Sequence, residues 1–302
     1  MIDFSPLDLS RKAQYDQILR NYGARGCEFS FINLFMWGRQ KAAFYEDGLV
    51  FFSQFNRKSV YLYPLGPNKK VLLDAVIEDA KMRGIPCRLT GLTVEDCAEL
   101  ERLFPGKFRI HFDRNSFDYI YDIHDLADLK GRKFQKKRNH VNKFRLLCPE
   151  AVTLPITDEN TPQVAAMVDR WYENRLQQDP TADFHMERAA LSKALRHRKE
   201  LQMEGLILLR GEEILAFTLG GFLTEDTFDV NFEKATDAVD GAYPVINQAF
   251  AQYLRDKYPK LRWLDREEDM GIEGLRKAKL SYCPERMVEK HWACLLEDAY
   301  EY

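Results

Sequence analysis

One order of secondary-structure elements occurs twice in this chain, and it constrains the fold more than any single motif. In the second half, alternation and turn residues predict a strand over "AVTLPI" (151–156) and helices over 160–178 and 183–197. Strands then follow over "GLILLR" (205–210), "EILAFTLGGFL" (213–223) and "TFDVNFE" (227–233), separated by "GEE" and "TED". A helix over "YPVINQAFAQYLRDKY" (243–258) places Val245, Ala249, Tyr253 and Leu254 on one face. A strand, "LRWLD" (261–265), a short helix near 272–280 and a last strand, "MVEKHWACLL" (287–296), complete the half. The first half repeats the order. "MIDF" precedes helices at 8–22 and 30–39, the second with Ser30 as N-cap. Strands at 41–46, 48–54 and 59–63, a helix at 68–83, a strand at 86–90, a helix at 93–104 and strands at 107–113 and 117–123 follow. An offset of roughly 170 residues implies two units of one architecture. We place the division at 125/126, giving domains 1–125 and 126–302.

With 45% hydrophobic and 13% aromatic residues in 302, both units can bury a core. No apolar run reaches the roughly 18–20 residues that span a bilayer. The start, "MIDFSPLDLSRKAQYD", has no basic segment followed by an apolar one, so a cytoplasmic location is expected. Six cysteines without a CxxC and six histidines without HExxH spacing imply reduced thiols and no metal site.

The chain carries −3 overall, yet "KGRKFQKKRNHVNKFR" (130–145) carries +8, so the rest carries −11. At about 100° per residue, Phe134, Val141, Phe144 and Cys148 share the inward arc of a helix. Arg132, Lys136, Asn139 and Lys143 point the other way, and Lys137, Arg138 and Arg145 project near the inward arc. Two readings stand. The inward cations snorkel around the core edge or pair locally, or Lys137, Arg138 and Asn139 bind an anion such as a phosphate. "NFEKA" puts Glu233 and Lys234 at a strand end, facing opposite sides. "DREEDMGIEGLRKAKLSY" (265–282) mixes acids, two glycines and later cations. It is either a loop tied by local ion pairs or a substrate loop, with Asp269 or Glu268 on an amino group and Arg266, Arg276, Lys277 and Lys279 on phosphate or carboxylate.

Three stretches, "LKGRKFQKKRNHVNKF" (129–144), "NFEKATDAVDGAYPVINQAFA" (231–251) and "DREEDMGIEGLRKAKLSYCP" (265–284), resemble the DUF2156 family. Its domain is also called the phosphatidylglycerol lysyltransferase C-terminal domain and is related to Fem-type aminoacyl transferases. The resemblance implies an α+β fold of two tandem GNAT-like (acyl-CoA N-acyltransferase-like) domains, each a mixed, mostly antiparallel sheet flanked by helices. It also implies transfer of an acyl or aminoacyl group to an amine or hydroxyl acceptor. In that fold the donor lies where the fourth and fifth strands part, its phosphates on the N-terminus of the next helix. The corresponding loop here, "KATDAVDGAY" (234–243), keeps Gly241 but lacks both ends of the [QR]-x-x-G-x-[GA] pattern of acetyl-CoA enzymes. No cofactor is firmly implied, and aminoacyl-tRNA ranks ahead of acyl-CoA as donor. tRNA or a phosphorylated small molecule is the expected partner. Alignment, a base and an oxyanion donor suffice for such a transfer. Glu233, Asp269 and Glu268 are the candidate bases, and Tyr282 is the candidate acid. The matching first-half loop, "YPLGPNKK", has two prolines that remove phosphate-binding N–H groups, so that domain is expected to be structural. The alternative is a non-catalytic protein that binds a phosphorylated ligand or RNA on a degenerate domain pair.

Overall fold

The alternating apolar runs pair into two seven-stranded sheets in the computed structural model, which describes residues 1–23, 26–55 and 58–298. The elements in chain order are β1 (Ser5–Pro6), α1 (Lys12–Tyr22), α2 (Phe31–Trp37), β2 (Gln40–Tyr45), β3 (Gly48–Phe55), β4 (Lys58–Leu65), α3 (Lys69–Arg83), β5 (Arg88–Leu92), α4 (Val94–Leu103), β6 (Phe108–Phe112) and β7 (Asp118–Asp122). They continue with α5 (Ile123–Asp128), α6 (Gln135–Leu147), β8 (Val152–Pro155), α7 (Thr161–Gln178), α8 (His185–Arg196), β9 (Glu204–Arg210), β10 (Glu213–Phe222), β11 (Thr227–Ala235), α9 (Ala242–Lys257), β12 (Trp263–Asp265), α10 (Glu273–Leu280), β13 (Arg286–Val288) and β14 (His291–Leu295). One sheet runs β1-β2-β3-β4-β5-β14-β6, the other β13-β7-β12-β11-β10-β9-β8. Both are mostly antiparallel. Among the pairs whose direction is given, β4 with β5 and β11 with β12 are parallel, bridged by α3 and α9 in the same topological place.

The division differs from 125/126. One compact unit comprises Met1–Asp118, Glu268–Gly271 and the chain from Val288 onward; the other comprises Tyr119–Glu267 and Ile272–Met287. The run read as a last strand over 287–296 is two strands in different sheets, β13 beside β7 and β14 between β5 and β6. The strands expected at 107–113 and 117–123 part in the same way. Strand pairing, not chain order, sets the boundary, and period-2 alternation is blind to which sheet a strand joins.

Local signals explain most elements. Ser30 caps α2 by accepting from the Asn33 N–H. Phe134, Val141, Phe144 and Cys148 are buried, as the helical arc requires. The buried stripe of α9 is wider than expected, with Val245, Ile246, Phe250, Ala251 and Leu254 in the core and Ala249 and Tyr253 half-buried. Short helix α5, ending at Leu129 with φ +50°, was not foreseen.

Candidate functional site

Strand β11 pairs with β10 as far as Ala235 but with β12 only from Thr227 to Asp229. From Val230 onward its other edge is released, so the two parallel strands part where "NFEK" begins. Alternation then sends Glu233 and Lys234 to opposite faces.

On the Glu233 face, one carboxylate oxygen accepts from Arg266 Nη2 at 2.8 Å and the other from Asn247 Nδ2 at 3.3 Å. Arg266 leaves β12 with its N–H donated to the Tyr119 carbonyl, which fixes its approach. Its guanidinium carbon lies 5.1 Å from the Tyr282 ring centre and 5.9 Å from that of Tyr121. Lys137, from the first turn of α6, sets its Nζ 3.7 Å above the Tyr282 ring centre. These side chains come from α6, β7, β11, α9 and the segments flanking α10, all within the second unit.

The electrostatics separate their roles. Burial, helped by the neighbouring Arg266 charge, pulls the Lys137 ammonium down to about 8, with Glu233 opposing. Burial is the largest influence on Arg266 and acts against its charge, but the Glu233 carboxylate together with Tyr121, Tyr282 and Tyr243 holds the guanidinium above its ordinary value. Burial pushes Tyr282 up, so it stays a phenol. Among the described residues, two buried polar atoms beside Glu233 have no hydrogen-bond partner, Arg266 Nη1 and Asn247 Oδ1. The cluster therefore offers an unused donor, an unused acceptor and an easily deprotonated amine.

The remaining expected residues go elsewhere. Lys234 faces α7 and α8, bonded to Glu187 at 2.5 Å with its Nζ 4.1 Å from the Trp171 ring centre, and burial lowers its pKa. Arg138 turns back to the carbonyls of Leu129 and Gly131, closing the turn between α5 and α6. Arg145 reaches Gln248, and Asn139 stays exposed. Of the three cations near the inward arc, only Lys137 meets the 265–282 segment. Lys130, Lys133 and Lys143 pair with Asp128, Asp125 and Asp240 at 2.7, 2.5 and 2.8 Å, so much of the +8 is neutralised locally. Gly241 opens α9 at φ +93°, where an added Cβ would lie 2.7 Å from the His140 carbonyl oxygen. Close packing of α9 on α6 is thus reason enough for a glycine there. Lys279 is buried and donates to the carbonyls of Arg266 and Glu267, holding the segment that carries Arg266. Arg276 is half-buried on α10, and Lys277 is an exposed partner of Glu273. Asp269 falls in the first unit, fully buried, accepting from the Gly271 N–H and 3.5 Å from Arg114. The structure therefore does not join it to Glu233 and Tyr282 in one unit.

Sequence reasoning missed Asn247, whose signal is a carboxamide inside the apolar stripe of α9, and Tyr121. It also missed a buried cluster in the first unit. There Lys290 Nζ lies 2.7 Å from Asp118, 3.0 Å from Glu28 and 3.8 Å from Glu268, with Cys27 Sγ at 3.5 Å. Ligand-type atoms of Cys27, Asp118 and Glu268 approach within 4.8 Å of one another. The Lys290 ammonium already supplies the cation they would share.

Residues 19–294 match the family model described as phosphatidylglycerol lysyltransferase, C-terminal. The chain belongs to this family. Among solved structures, a conserved protein of unknown function from Bacteroides thetaiotaomicron VPI-5482 is 37% identical, with a TM-score of 0.91 over 98% of this chain and 100% of that one. The DUF2156 C-terminal domain of a protein assigned as a lysylphosphatidylglycerol synthetase from Agrobacterium fabrum is 13% identical, with a TM-score of 0.67 over 95% and 92% of the two chains. FemX is 10% identical, with a TM-score of 0.62 over 98% of each. At such identities the last two speak for the fold. The fold is the one expected, two GNAT-like halves with mixed, mostly antiparallel sheets flanked by helices. Among the described residues, no helix of this lysyltransferase-family chain is long and apolar enough to cross a membrane.

Proposed function

We propose that the chain is an aminoacyltransferase that moves an aminoacyl group from an activated ester, with aminoacyl-tRNA as donor, to an amine or hydroxyl acceptor. The observation that carries this reading is the desolvated Lys137 above Tyr282, beside an Arg266–Glu233 pair with an unused guanidinium nitrogen. A lysine whose pKa lies near the working pH is suited to take the proton of the attacking acceptor. Arg266 Nη1 is a preorganised donor for the oxygen that becomes negative as the carbonyl is attacked. Glu233, expected from sequence as the base, has both oxygens occupied and is better placed to orient Arg266. The neutral Tyr282 phenol can protonate the departing ester oxygen. The bond formed joins the acceptor nitrogen or oxygen to the carbonyl carbon, and the ester C–O bond breaks. The acceptor's proton goes to Lys137 and Tyr282 gives one to the leaving group. Proton return from Lys137 to Tyr282 completes the cycle. Membership of the lysyltransferase family and the fold shared with FemX support the reaction class.

The test incubates purified protein with label carried on the amino acid of aminoacyl-tRNA and with amine, peptide and headgroup acceptors. Label should reach an acceptor with wild type and not with Lys137→Met. Equal transfer by both proteins overturns the assignment of Lys137, and absence of transfer to any acceptor overturns the reaction.

A further inference from the structure

An open sheet has two edges, and the edge strands of these two sheets are not alike. In the second sheet, β13 is three residues long and β8 ends in Pro155, which has no N–H to give a neighbour. In the first sheet, β1 has two residues, one of them Pro6. The other edge is β6, five residues without proline or glycine and without a register shift against β14. The Leu296 N–H donates to the Lys107 carbonyl at 2.9 Å, on the β14 side. Alternation then turns the N–H and C=O groups of Arg109 and His111 toward β14, and those of Phe108, Ile110 and Phe112 toward the open edge.

Such an edge is a template for another strand, and native chains ordinarily blunt it with charge. Here the charges are ordered. Around Ile110 the sequence is its own complement, Lys107-Phe108-Arg109-Ile110-His111-Phe112-Asp113. An antiparallel copy centred on Ile110 sets Phe108 opposite Phe112 and Lys107 opposite Asp113, each contact made twice by symmetry. Lys107 is exposed and, among the described residues, makes no ion pair. Asp113 keeps an extended backbone, φ −129° and ψ 99°, and spends one oxygen on the Asn115 N–H. Arg109 would face His111, which burial and then Arg109 itself hold below its ordinary pKa, so two cations do not meet. A centre one residue on, at His111, would pair Arg109 with Asp113 but leave Phe108 opposite Arg114, where the chain has already turned.

We propose that the chain dimerises by antiparallel pairing of β6 with β6 of a second copy, on a two-fold axis at Ile110. The three outward residues of each strand then exchange about six backbone hydrogen bonds. The pairing covers Ile110 and Phe112, which are 38% and 64% exposed in the single chain. It lays Phe112 of one copy against the Phe104–Phe108 ring pair of the other and so extends the core of the first unit across the axis. The edge belongs to the first unit and the residues of the transfer reading to the second, so the two proposals stand separately.

Sedimentation velocity of the full chain from about 1 µM to about 1 mM tests it and should show a dimer that grows with concentration. Ile110→Glu sets two carboxylates on the axis and should leave monomer throughout. Lys107→Asp makes both Lys107–Asp113 contacts repulsive and should weaken the dimer about tenfold. Adding Asp113→Lys should restore affinity to within about threefold of wild type. Positions 107 and 110 are exposed, so the variants keep the fold, which thermal unfolding checks. Ile110→Cys should give an intermolecular disulfide on mild oxidation, since opposed residues of a hydrogen-bonded pair stand about 5.5 Å apart. His111→Cys should not. Monomer at every concentration leaves the edge to a strand of some other protein and overturns the proposal. A dimer that survives Ile110→Glu lies on another face and overturns it too, as does a double variant that fails to restore affinity. Cross-linking through position 111 in place of 110 overturns the register.

Discussion

Each unit buries a cation among acids, and the two arrangements are finished differently. Around Lys290, the ammonium touches Asp118 and Glu28, and the second Asp118 oxygen takes the Cys27 N–H at 2.9 Å. Around Arg266, one guanidinium nitrogen and one carboxamide oxygen have no partner among the described residues, and Lys137 lies over the Tyr282 ring. A buried polar group left unsatisfied costs free energy, so a native structure that keeps several together has a use for them. The saturated cluster reads as internal scaffolding and the unsaturated one as a place for substrate.

The largest effect should come from the saturated side. Lys290→Met strands buried carboxylates and should cost about 3–5 kcal/mol in chemical denaturation. An unchanged unfolding midpoint would break the contrast. On the unsaturated side, Lys137→Met should cut the transfer rate by about a hundredfold, the scale of lost general-base catalysis. Its stability should stay within about 0.5 kcal/mol of wild type. Lys137 must be neutral to accept a proton, so the wild-type rate should rise as pH passes about 8. Lys137→Arg should lose that limb; an arginine variant with full activity would instead make the group an anion contact. Asn247→Leu sharpens the same point, because it removes an unused acceptor. It also removes the Nδ2 donor to Glu233, so it should lower kcat/KM by about tenfold and cost about 1 kcal/mol of stability, the scale of one hydrogen bond. A stability loss with unchanged kcat/KM would return Asn247 to scaffolding.

The smallest effect concerns pH. Burial, opposed by Lys290 and reinforced by Glu28 and Glu268, lifts Asp118 from 3.8 to about 6. A carboxyl whose pKa is raised on folding adds stability below its unfolded value, and that contribution fades as pH climbs through the folded one. Stability attributable to Asp118 should therefore decline between about pH 4 and 6. Denaturation midpoints across that range should show the decline in wild type and a flatter profile in Asp118→Asn. Equal profiles would remove the coupling between Asp118 and its neighbours.

Local signals carried much of the fold. The duplicated element order became two sheets of matching order, the Phe134–Val141–Phe144–Cys148 arc is buried, and Ser30 caps its helix. Of the site, Glu233, Arg266, Lys137 and Tyr282 were visible as residue types at strand ends, in a basic run and in a mixed-charge loop. Their convergence was not visible, because it depends on where β11 and β12 part. The Lys290 cluster was illegible for a related reason. Residues 27, 28, 118, 268 and 290 meet only once β14 has entered the first sheet, and nothing periodic links them.

The placement of β14 also bears on how the protein is made. Between β5 and β6 the first sheet has a gap that only residues 291–295 fill. A ribosome delivers the six other strands of that sheet first, and their order then waits on a segment synthesised after every strand of the second sheet. The second sheet holds its full set of strands once β13 emerges. The half that is translated first is therefore the half that closes second, and its open strand edges need protection during synthesis.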